Sequence, residues 1–206
     1  MGFCINIAKL NIYLDTASAE IKNQCNDFLS EEKDIAFTAS AKNKQDVDTE
    51  FIYLYEDIAE KLINFDRMVV HGALIKLANQ GILLMGLPSS GKTTRAKYLA
   101  KTKGAEIING DKPILIFEKD GIYACGTPWA GKENIYKNEI IKLSSCIFVE
   151  RNQKKNIIDL PDDKALELLL REVYLPKNMP KCMSLCAQMV RNLNFKKWSE
   201  ELQIEN

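Results

Sequence analysis

One glycine-rich segment constrains the fold of this chain more than any other part of its sequence. The residues Gly86-Leu-Pro-Ser-Ser-Gly91-Lys92-Thr93 follow the pattern G-x-x-x-x-G-K-[ST], in which backbone N–H groups surround a phosphate and the lysine adds a full positive charge. The apolar run 82–85 before the segment predicts a buried strand, and the residues after it predict a helix whose N-terminus attracts anions. A strand, a glycine loop and a helix in this order predict a phosphate-binding P-loop.

The residue types in the loop indicate what each would contact. Gly86 and Gly91 allow backbone torsions and close approaches that a side chain would block. Lys92 is expected against the outer phosphates of a nucleotide, and the hydroxyl of Thr93 against a magnesium ion. We therefore expect ATP and Mg²⁺ as ligands. The predicted nucleotide-binding residues are Gly86, Leu87, Pro88, Ser89, Ser90, Gly91, Lys92, Thr93 and Thr94, and Thr93 is also a predicted metal ligand.

Length and charge limit the class of protein. A chain of 206 residues that is 46% hydrophobic is long enough for one domain with a proper core. The 28 Lys and Arg residues balance 28 Asp and Glu residues, so no global field points to nucleic acid or to an anionic membrane as a partner. No apolar run approaches the about 20 residues needed to cross a bilayer, so no membrane span is expected.

The six cysteines indicate a reducing environment. They include no C-x-x-C pair, and no basic and then apolar leader opens the chain, so we expect a cytoplasmic protein. Cys182 and Cys186 have the i,i+4 spacing of a helix, but the one histidine of the chain, His71, is far away in the sequence. Core packing is therefore favoured over a metal site for this pair.

The first part of the chain predicts strands, an ambiguous segment and a packing helix. Residues 3–14 alternate loosely, as in one or two half-buried strands. Residues 15–48 are polar, with short apolar pieces that suggest a helix and an edge strand, and we expect a mobile or substrate-facing region there. Residues 49–65 carry one apolar helical stripe, with Asp48 or Thr49 as the N-cap.

The residues just before the P-loop predict a hairpin. Residues 68–77 form an apolar run that we assign to a strand with His71 inside it, and residues 78–81 are turn-like. This connection is far too short for a crossover, so the strand 82–85 should pair with the preceding strand in antiparallel orientation. A mixed or antiparallel sheet is implied, in contrast to the parallel sheet of most P-loop enzymes.

After the P-loop, strands and helices alternate. The tripeptide Lys119-Asp120-Gly121 is typical of a hairpin turn, and residues 126–134 form a loop that concentrates glycine and charge. The expected elements are a helix over 93–103, strands over 105–109, 112–118, 122–125 and 140–149, a helix over 161–174, and one or two helices over 180–203 with Met183, Ala187, Val190, Leu193 and Trp198 inward. No linker or repeat is visible, so one domain over 1–206 is predicted, with N-terminal strands and helix (1–65), a nucleotide-binding core (66–150) and C-terminal helices (151–206).

A second nucleotide-related pattern is interpreted as a coincidence. Asn43-Lys44-Gln45-Asp46 spells N-K-x-D, by which small GTPases recognise guanine. In those proteins the pattern comes well after the P-loop, at the end of a parallel strand. Here it precedes the P-loop in a polar segment, so a GTPase is not predicted.

The order of these motifs resembles the HPr kinase/phosphorylase family and, more distantly, the ATP-dependent phosphoenolpyruvate carboxykinases. The resemblance rests on a strand with His71-Gly72, a hairpin, the P-loop, a helix and a strand ending in Gly110-Asp111, and it covers roughly residues 66–150. In small HPr-kinase-like proteins of bacteria, the segments 109–113 and 126–133 also have counterparts. The resemblance implies a phosphoenolpyruvate carboxykinase/HPr kinase-like α/β fold, with mixed, largely antiparallel sheets around the P-loop. It also implies ATP-dependent phosphorylation of a serine-type hydroxyl.

The resemblance further assigns a role to Asp111. In HPr kinases this position belongs to a pair of aspartates, one that deprotonates the acceptor and one near the metal, and here Gly110 stands in place of the first. Asp111 is therefore predicted as a catalytic base, as a metal ligand, or as both. The R-G-L-G signature of the family is absent after that strand, and the loop 126–133 stands in its place. The substrate of the family is accordingly not carried over.

Three further residues are candidate catalytic groups. His71 is expected to orient phosphate or Asp111, with a place in the core as the alternative. Lys132 could contact phosphate or an acidic acceptor, and Glu133 could be a second metal-associated or base carboxylate. Trp129, in the same loop, is expected either to stack on substrate or to lie in the core.

The favoured function is an ATP- and Mg²⁺-dependent kinase that phosphorylates a serine-type hydroxyl of a small protein, a peptide or a metabolite. One alternative is a non-catalytic ATP-binding regulatory module, which Gly110 allows. Another is a metabolite kinase of the adenylate or gluconate kinase type, against which the hairpin and the missing arginine-rich lid weigh. Arg95, Arg151 and Arg171 are expected mainly in surface ion pairs, with Arg151 a catalytic candidate at a strand end. A homo-oligomer is compatible with the sequence.

Overall fold

The computed structural model describes residues 2–44, 46–152 and 155–200, which form a mixed α/β fold. The strands are β1 (Phe3–Ile7), β2 (Leu10–Asp15), β3 (Leu29–Ser30), β4 (Phe37–Ser40), β5 (Arg67–Val69), β6 (Ala73–Leu77), β7 (Gln80–Met85), β8 (Glu106–Asn109), β9 (Ile114–Glu118), β10 (Gly121–Cys125), β11 (Ile140–Glu150), β12 (Asn156–Asp159) and β13 (Asn194–Ser199). The helices are α1 (Ala19–Gln24), α2 (Val47–Leu62), α3 (Lys92–Lys103), α4 (Asp162–Leu169) and α5 (Met179–Asn192), with short 3₁₀ turns at Asn26–Phe28 and Ile63–Phe65.

The N-terminal part forms a small sheet with the strand order β3-β1-β2-β4. The segment 15–48, expected to be mobile or substrate-facing, instead supplies α1, β3 and β4 to this layer. Its residues Ile21 and Phe28 are buried in one cluster with the strands and α2. Because these scattered apolar residues find their partners in other parts of the chain, the polar composition of the segment concealed their packing.

Helix α2 begins two residues earlier than the sequence indicated. Its N-cap is Asp46, whose side chain accepts a hydrogen bond of 2.8 Å from the N–H of Thr49. The expected caps Asp48 and Thr49 therefore lie inside the helix, and the cap position favours Asp46 because its carboxylate satisfies a free N–H of the first turn. The capping role of Asp46 agrees with interpreting N-K-x-D as a coincidence, although Gln45 lies outside the described residues.

The larger sheet has the strand order β5-β9-β10-β11-β7-β6-β8, and β13 and then β12 pair beyond β11. The predicted hairpin is confirmed, since β6 and β7 pair antiparallel with Ile75 opposite Ile82. The predicted strand 68–77 is wrong in its middle. It divides into β5, which pairs with β9, and β6, which pairs with β7 and β8. His71 therefore lies in a connection and not in a strand.

The C-terminal region also differs from the expected run of helices. The first helix ends at Leu169, and the expected helical region 180–203 contains α5 followed by the strand β13. Trp198 is buried as expected, but it lies on a strand, and Phe195, three positions earlier, is buried as well. In the strand this odd spacing places them on opposite faces, in two different clusters of the core.

The core position predicted for Cys182 and Cys186 is confirmed. Both are fully buried in the largest apolar cluster, where their sulfurs lie 3.8 and 4.0 Å from the sulfur of Met68. Met183, expected inward, is instead exposed on α5. Among the described residues, no three or more His, Cys, Asp or Glu side chains are arranged so that they could hold a metal ion. None of the helices in the described ranges has the length and apolar character needed to span a membrane.

Four strands of the larger sheet run in the same direction. β11 is parallel to β7 and to β13, and β8 is parallel to β7 because both are antiparallel to β6. The carboxyl ends of β8, β7, β11 and β13 therefore meet at one edge of the sheet, together with the start of β6. Ligands of α/β sheets commonly bind outside such an edge.

Replacing Leu83 by alanine tests whether β7 is the centre of this sheet. Leu83 is completely buried, so Leu83→Ala should lower the free energy of unfolding by about 2 to 5 kcal/mol through lost burial and a residual cavity. Urea unfolding followed by circular dichroism measures this change. The control is Leu175→Ala, because Leu175 is 52% exposed. Equal stability of the two variants would contradict the placement of β7.

Candidate functional site

The candidate site is built where the chain leaves or enters the aligned strands. The glycine loop predicted to be a P-loop follows β7, Asp111 follows β8, and Glu150 ends β11 with Arg151 directly after it. His71 directly precedes β6, which runs in the opposite direction. The fold thus brings together at one edge the P-loop, His71 and Asp111, which the sequence had picked out separately.

The P-loop presents free backbone donors at its junction with α3. Gly91 has φ of +96° and is the N-cap of the helix, so no side chain caps it. The first helical hydrogen bond joins the N–H of Arg95 to the carbonyl of Gly91. The N–H groups of residues 92–94 therefore have no acceptor within the helix. Such a helix N-terminus favours an anion through these donors and the helix dipole.

Gly86 is required where the chain turns from β7 into the loop. It has φ of +138°, and a Cβ placed on it would lie only 2.5 Å from the carbonyl oxygen of Val149 on β11. The loop therefore passes against the end of β11 at a distance that only glycine permits. The hydroxyl of Ser90 is buried and has no hydrogen-bond partner among the described residues. The loop thus contains a buried hydroxyl whose hydrogen-bonding capacity is unused among the described residues.

Lys92 is folded back onto the loop. Its ammonium donates hydrogen bonds to the carbonyl oxygens of Gly86, at 2.5 Å, and Leu87, at 3.3 Å. Burial lowers the pKa of this ammonium, and the charges of Glu172 and Asp111 act in the opposite direction. A buried cation held by neutral carbonyl groups gains from any anion that replaces them.

A histidine between two carboxylates lies beside the loop. The Nε2 atom of His71 is 3.1 Å from Asp111 Oδ1, and its Nδ1 atom is 3.2 Å from Glu172 Oε2. Hydrogen bonds to Asp111 and then Glu172 raise the pKa of His71 to about 9, although burial opposes this. The imidazole is therefore protonated at neutral pH, and both of its N–H groups hold a carboxylate in place.

Asp111 is ionised despite its environment. Burial acts to raise the pKa of its carboxyl, but the hydrogen bond from His71 and the charge of Lys112 together lower the pKa to about 2. The ammonium of Lys112 lies 3.1 Å from Oδ2. Both oxygens of the carboxylate thus have cationic neighbours, one from each side.

Two residues that sequence reasoning missed position this group. Asn109 is fully buried, and its Oδ1 accepts hydrogen bonds from the backbone N–H groups of Asp111 and Lys112. The strand end Asn-Gly-Asp was a visible signal for such a turn. Glu172 gave no signal, because it lies after α4 and meets His71 only through the tertiary fold. It is buried, and its carbonyl also accepts the N–H of His71.

The loop 126–134 places its candidate residues unevenly. A Cβ on Gly131 would lie 3.0 Å from the Cβ of Asp111, so the loop packs against the aspartate. Lys132 and Glu133 are exposed on the same turn, and Glu133 forms a salt bridge of 2.6 Å with Lys97 on α3. Catalytic roles for these two residues therefore remain a prediction. It is supported by their position directly after Gly131, which packs against Asp111, and not by a contact with the P-loop.

Trp129 belongs to the core and not to a substrate surface. Its side chain is buried and stacks on Phe51 with ring centroids 5.2 Å apart. Its indole N–H donates a hydrogen bond to the carbonyl of Phe51. The core alternative predicted for this residue is therefore the correct one.

An open cavity of about 370 Å³ adjoins the P-loop on the side of β11. Arg171 pairs with Glu167, as expected of a surface arginine, while Arg151 is exposed and forms no salt bridge within the described ranges. The cavity is lined by Gly86, Leu87, Pro88, Ser89, Ser90, Phe148, Val149, Glu150, Arg151, Leu168, Arg171, Glu172 and Lys197. It combines apolar surface with both signs of charge.

The residues present fit a magnesium ion bound together with phosphates. Thr93 occupies the second position of α3, and Asp111 supplies an ionised carboxylate at the same edge of the sheet. Mg²⁺ is usually held by few protein oxygens, with phosphate oxygens and water completing its shell. A hydroxyl and one carboxylate therefore suit this ion better than an ion that needs an all-protein site.

Comparison with known proteins finds only a distant structural similarity. The sequence matches no protein-family model and no curated protein. Among solved structures, the chain is similar to the HPr(Ser) kinase/phosphatase from Coxiella burnetii. The TM-score is 0.37 at 10% sequence identity, and the similarity covers 67% of this chain and 81% of that one. Values this low assign no activity, so the proposals below depend on the residues of the site.

The one histidine of the chain provides a direct test of the charge arrangement. Its imidazole proton resonance, followed by NMR across pH, should titrate near pH 9 and not near 6.5. The folded state favours the protonated form, so its contribution to stability is complete below pH 6.5 and is lost as the pH rises towards 9. Asp111→Asn should move the midpoint down, whereas Asp120→Asn, on a distant hairpin turn, should not. A wild-type midpoint at or below 6.5 would contradict the arrangement.

Proposed function

We propose that the chain binds ATP and Mg²⁺ at residues 86–94 and transfers the terminal phosphate to a hydroxyl-bearing acceptor. The observation that carries this proposal is the meeting of three features at one edge of the sheet. These are the uncapped N-terminus of α3, the buried ammonium of Lys92 and the ionised carboxylate of Asp111. Phosphoryl transfer requires chiefly such positioning and charge neutralisation.

The nucleotide phosphates would bind where the loop offers donors. The N–H groups of residues 92–94 point along the start of α3, and Lys92 can exchange its bonds to the carbonyls of Gly86 and Leu87 for phosphate oxygens. This exchange replaces neutral acceptors by an anion, so it compensates for the burial of the ammonium. The buried hydroxyl of Ser90 is a further donor within the loop.

The protein ligands of the metal would be the hydroxyl of Thr93 and the carboxylate of Asp111. When bound, Mg²⁺ supplies positive charge next to the phosphates. The chain itself then has to orient the acceptor. Asp111 is suited to accept a hydrogen bond from the acceptor hydroxyl and to take its proton as the new P–O bond forms.

His71 and Glu172 would act on the acceptor only through Asp111. His71 bonds both carboxylates at once, so it fixes the direction in which the Asp111 oxygens point. Because the pKa of Asp111 is about 2 in this arrangement, it is a weak base before substrate arrives. Its main contribution would be alignment of the hydroxyl, as is usual in phosphoryl transfer.

The same low pKa favours a second candidate, a nucleotide-binding module without transferase activity. Both oxygens of Asp111 already have cationic partners in His71 and Lys112. A protein of this kind would bind ATP tightly and leave it intact. The alternative of an adenylate- or gluconate-kinase-type enzyme is disfavoured, because β7 has the antiparallel strand β6 as a neighbour.

Nucleotide binding should depend on the lysine of the loop. Lys92→Ala should weaken binding of ATP with Mg²⁺ by about 10- to 100-fold, as expected for the loss of a charge-assisted hydrogen bond. Isothermal titration calorimetry measures the affinity. The matched control is Lys103→Ala at the other end of α3, which removes the same charge away from the loop. If both variants bind like the wild type, the loop does not bind nucleotide.

Transfer should depend on Asp111 while binding does not. Asp111→Asn should keep ATP binding and lower phosphoester formation by roughly 100-fold or more, because the hydroxyl loses its aligned acceptor. Phosphorus NMR with ATP, Mg²⁺ and a serine-containing peptide mixture or free serine detects the product. Wild-type protein that binds ATP but forms no phosphoester with any of these acceptors would support the regulatory module. A fully active Asp111→Asn variant would contradict the role of Asp111.

A further inference from the structure

Arg95 is a buried cation next to the P-loop, although the sequence suggested a surface ion pair. It lies one turn into α3 and is only 1% exposed. Its Nη1 donates a hydrogen bond of 2.9 Å to the carbonyl of Ser90, and its Nη2 donates to the carbonyls of Glu150 and Glu200. One guanidinium thus joins the loop, the end of β11 and the residue after β13.

The surroundings of Arg95 are unusual for a buried charge. Its guanidinium donates hydrogen bonds to three backbone carbonyls, and its Nε–H is buried without a partner within the described residues. The guanidinium carbon lies 5.2 Å from the centroid of the Trp198 ring. Burial lowers the pKa of the group, as does the charge of Arg151, while the charges of Glu200 and Glu150 act in the opposite direction without cancelling the effect. A cation buried at such cost is better explained by the geometry it imposes than by a contribution to stability.

The bond to Ser90 determines how the loop faces a ligand. The C=O and N–H of a trans peptide point in opposite directions. Because Arg95 holds the carbonyl of Ser90, the N–H of Gly91 in the same peptide points away from the guanidinium. Gly91 also makes this approach feasible, since a Cβ there would lie 2.7 Å from Nη1 of Arg95.

The bonds from Arg95 to the carbonyls of Glu150 and Glu200 connect the loop to the strands beside the cavity. Ser90 and Glu150 both line the cavity beside the loop, and Arg95 donates hydrogen bonds to the carbonyls of both. The bond to Glu200 adds the end of β13, whose Trp198 packs on the guanidinium and donates its indole N–H to Glu200. Loss of Arg95 would therefore free the loop from β11 and β13 at once.

We propose that Arg95 is a positioning residue of the phosphate loop, which holds the Ser90–Gly91 peptide turned for phosphate binding and couples the loop to the ends of β11 and β13. This inference rests on the proposed binding of ATP at the loop. Arg95 does not itself touch the phosphates. It acts through the peptide that it orients, and the planar fork of arginine is required because three carbonyls must be bonded together.

The test compares Arg95→Lys with wild type and with the control Arg191→Lys, an exposed arginine on α5. Arg95→Lys should bind ATP and Mg²⁺ about 10- to 100-fold more weakly by calorimetry, because a small misplacement of binding groups is costly. Arg191→Lys should bind like the wild type. If the wild type binds ATP and Arg95→Lys binds it equally well, the inference fails while the proposed function stands. If the wild type binds no ATP, the proposed function fails and this inference fails with it.

A second measurement avoids dependence on a variant that fails to fold. The chain has two tryptophans, so protein labelled with 5-fluorotryptophan gives two ¹⁹F resonances, and Trp198→Phe assigns one of them. Titration of the wild type with ATP and Mg²⁺ should shift the Trp198 resonance through Arg95. The shift should be absent in folded Arg95→Lys at saturating ATP, which a purely stabilising role of Arg95 would not cause. An unchanged Trp198 resonance in wild-type protein that binds ATP would overturn the proposed coupling.

Discussion

The arrangement of the site depends on the pairing of β7 between an antiparallel neighbour, β6, and a parallel neighbour, β11. Because β8 is antiparallel to β6, it runs in the same direction as β7. Because β13 is parallel to β11, it also runs in that direction. Four strand ends and one strand start then lie along a single edge. The glycine loop and Asp111 follow two of these strand ends and His71 precedes the start of β6, so a change in the register of β7 would displace them together.

The charges at this edge form two groups with different partners. His71, Asp111 and Glu172 satisfy one another with charged hydrogen bonds, and Lys112 completes the group from the outside. Lys92 and Arg95 are held mainly by backbone carbonyl groups. The first group is therefore balanced by itself, whereas the second leaves positive charge around the P-loop that an anion can neutralise. In the proposed function the first group would orient an acceptor. Lys92 would bind phosphate, and Arg95 would act only through the Ser90–Gly91 peptide.

Local sequence signals predicted the features that local geometry controls. The glycine loop, the hairpin before it, the Asp-Gly turn between β9 and β10 and the helix after the loop follow from short-range torsions and hydrogen bonds. Asp111 was singled out by the resemblance in motif order, since it follows a predicted strand after the loop. Core positions for Cys182 and Cys186 were predicted because their helical spacing had no histidine near it in the sequence to complete a metal site.

The tertiary structure decided the features that depend on distant partners. His71 left its expected strand because β5 and β6 pair with different strands, and Glu172 became its partner although 101 positions separate Glu172 from His71 (172 − 71). Arg95 became buried because β11 and β13 bring carbonyl groups to it from residues 150 and 200. The sequence alone thus determined a glycine-rich loop between a hairpin and a helix. Which charges surround that loop was decided by strand pairing across long separations, which no local pattern encodes.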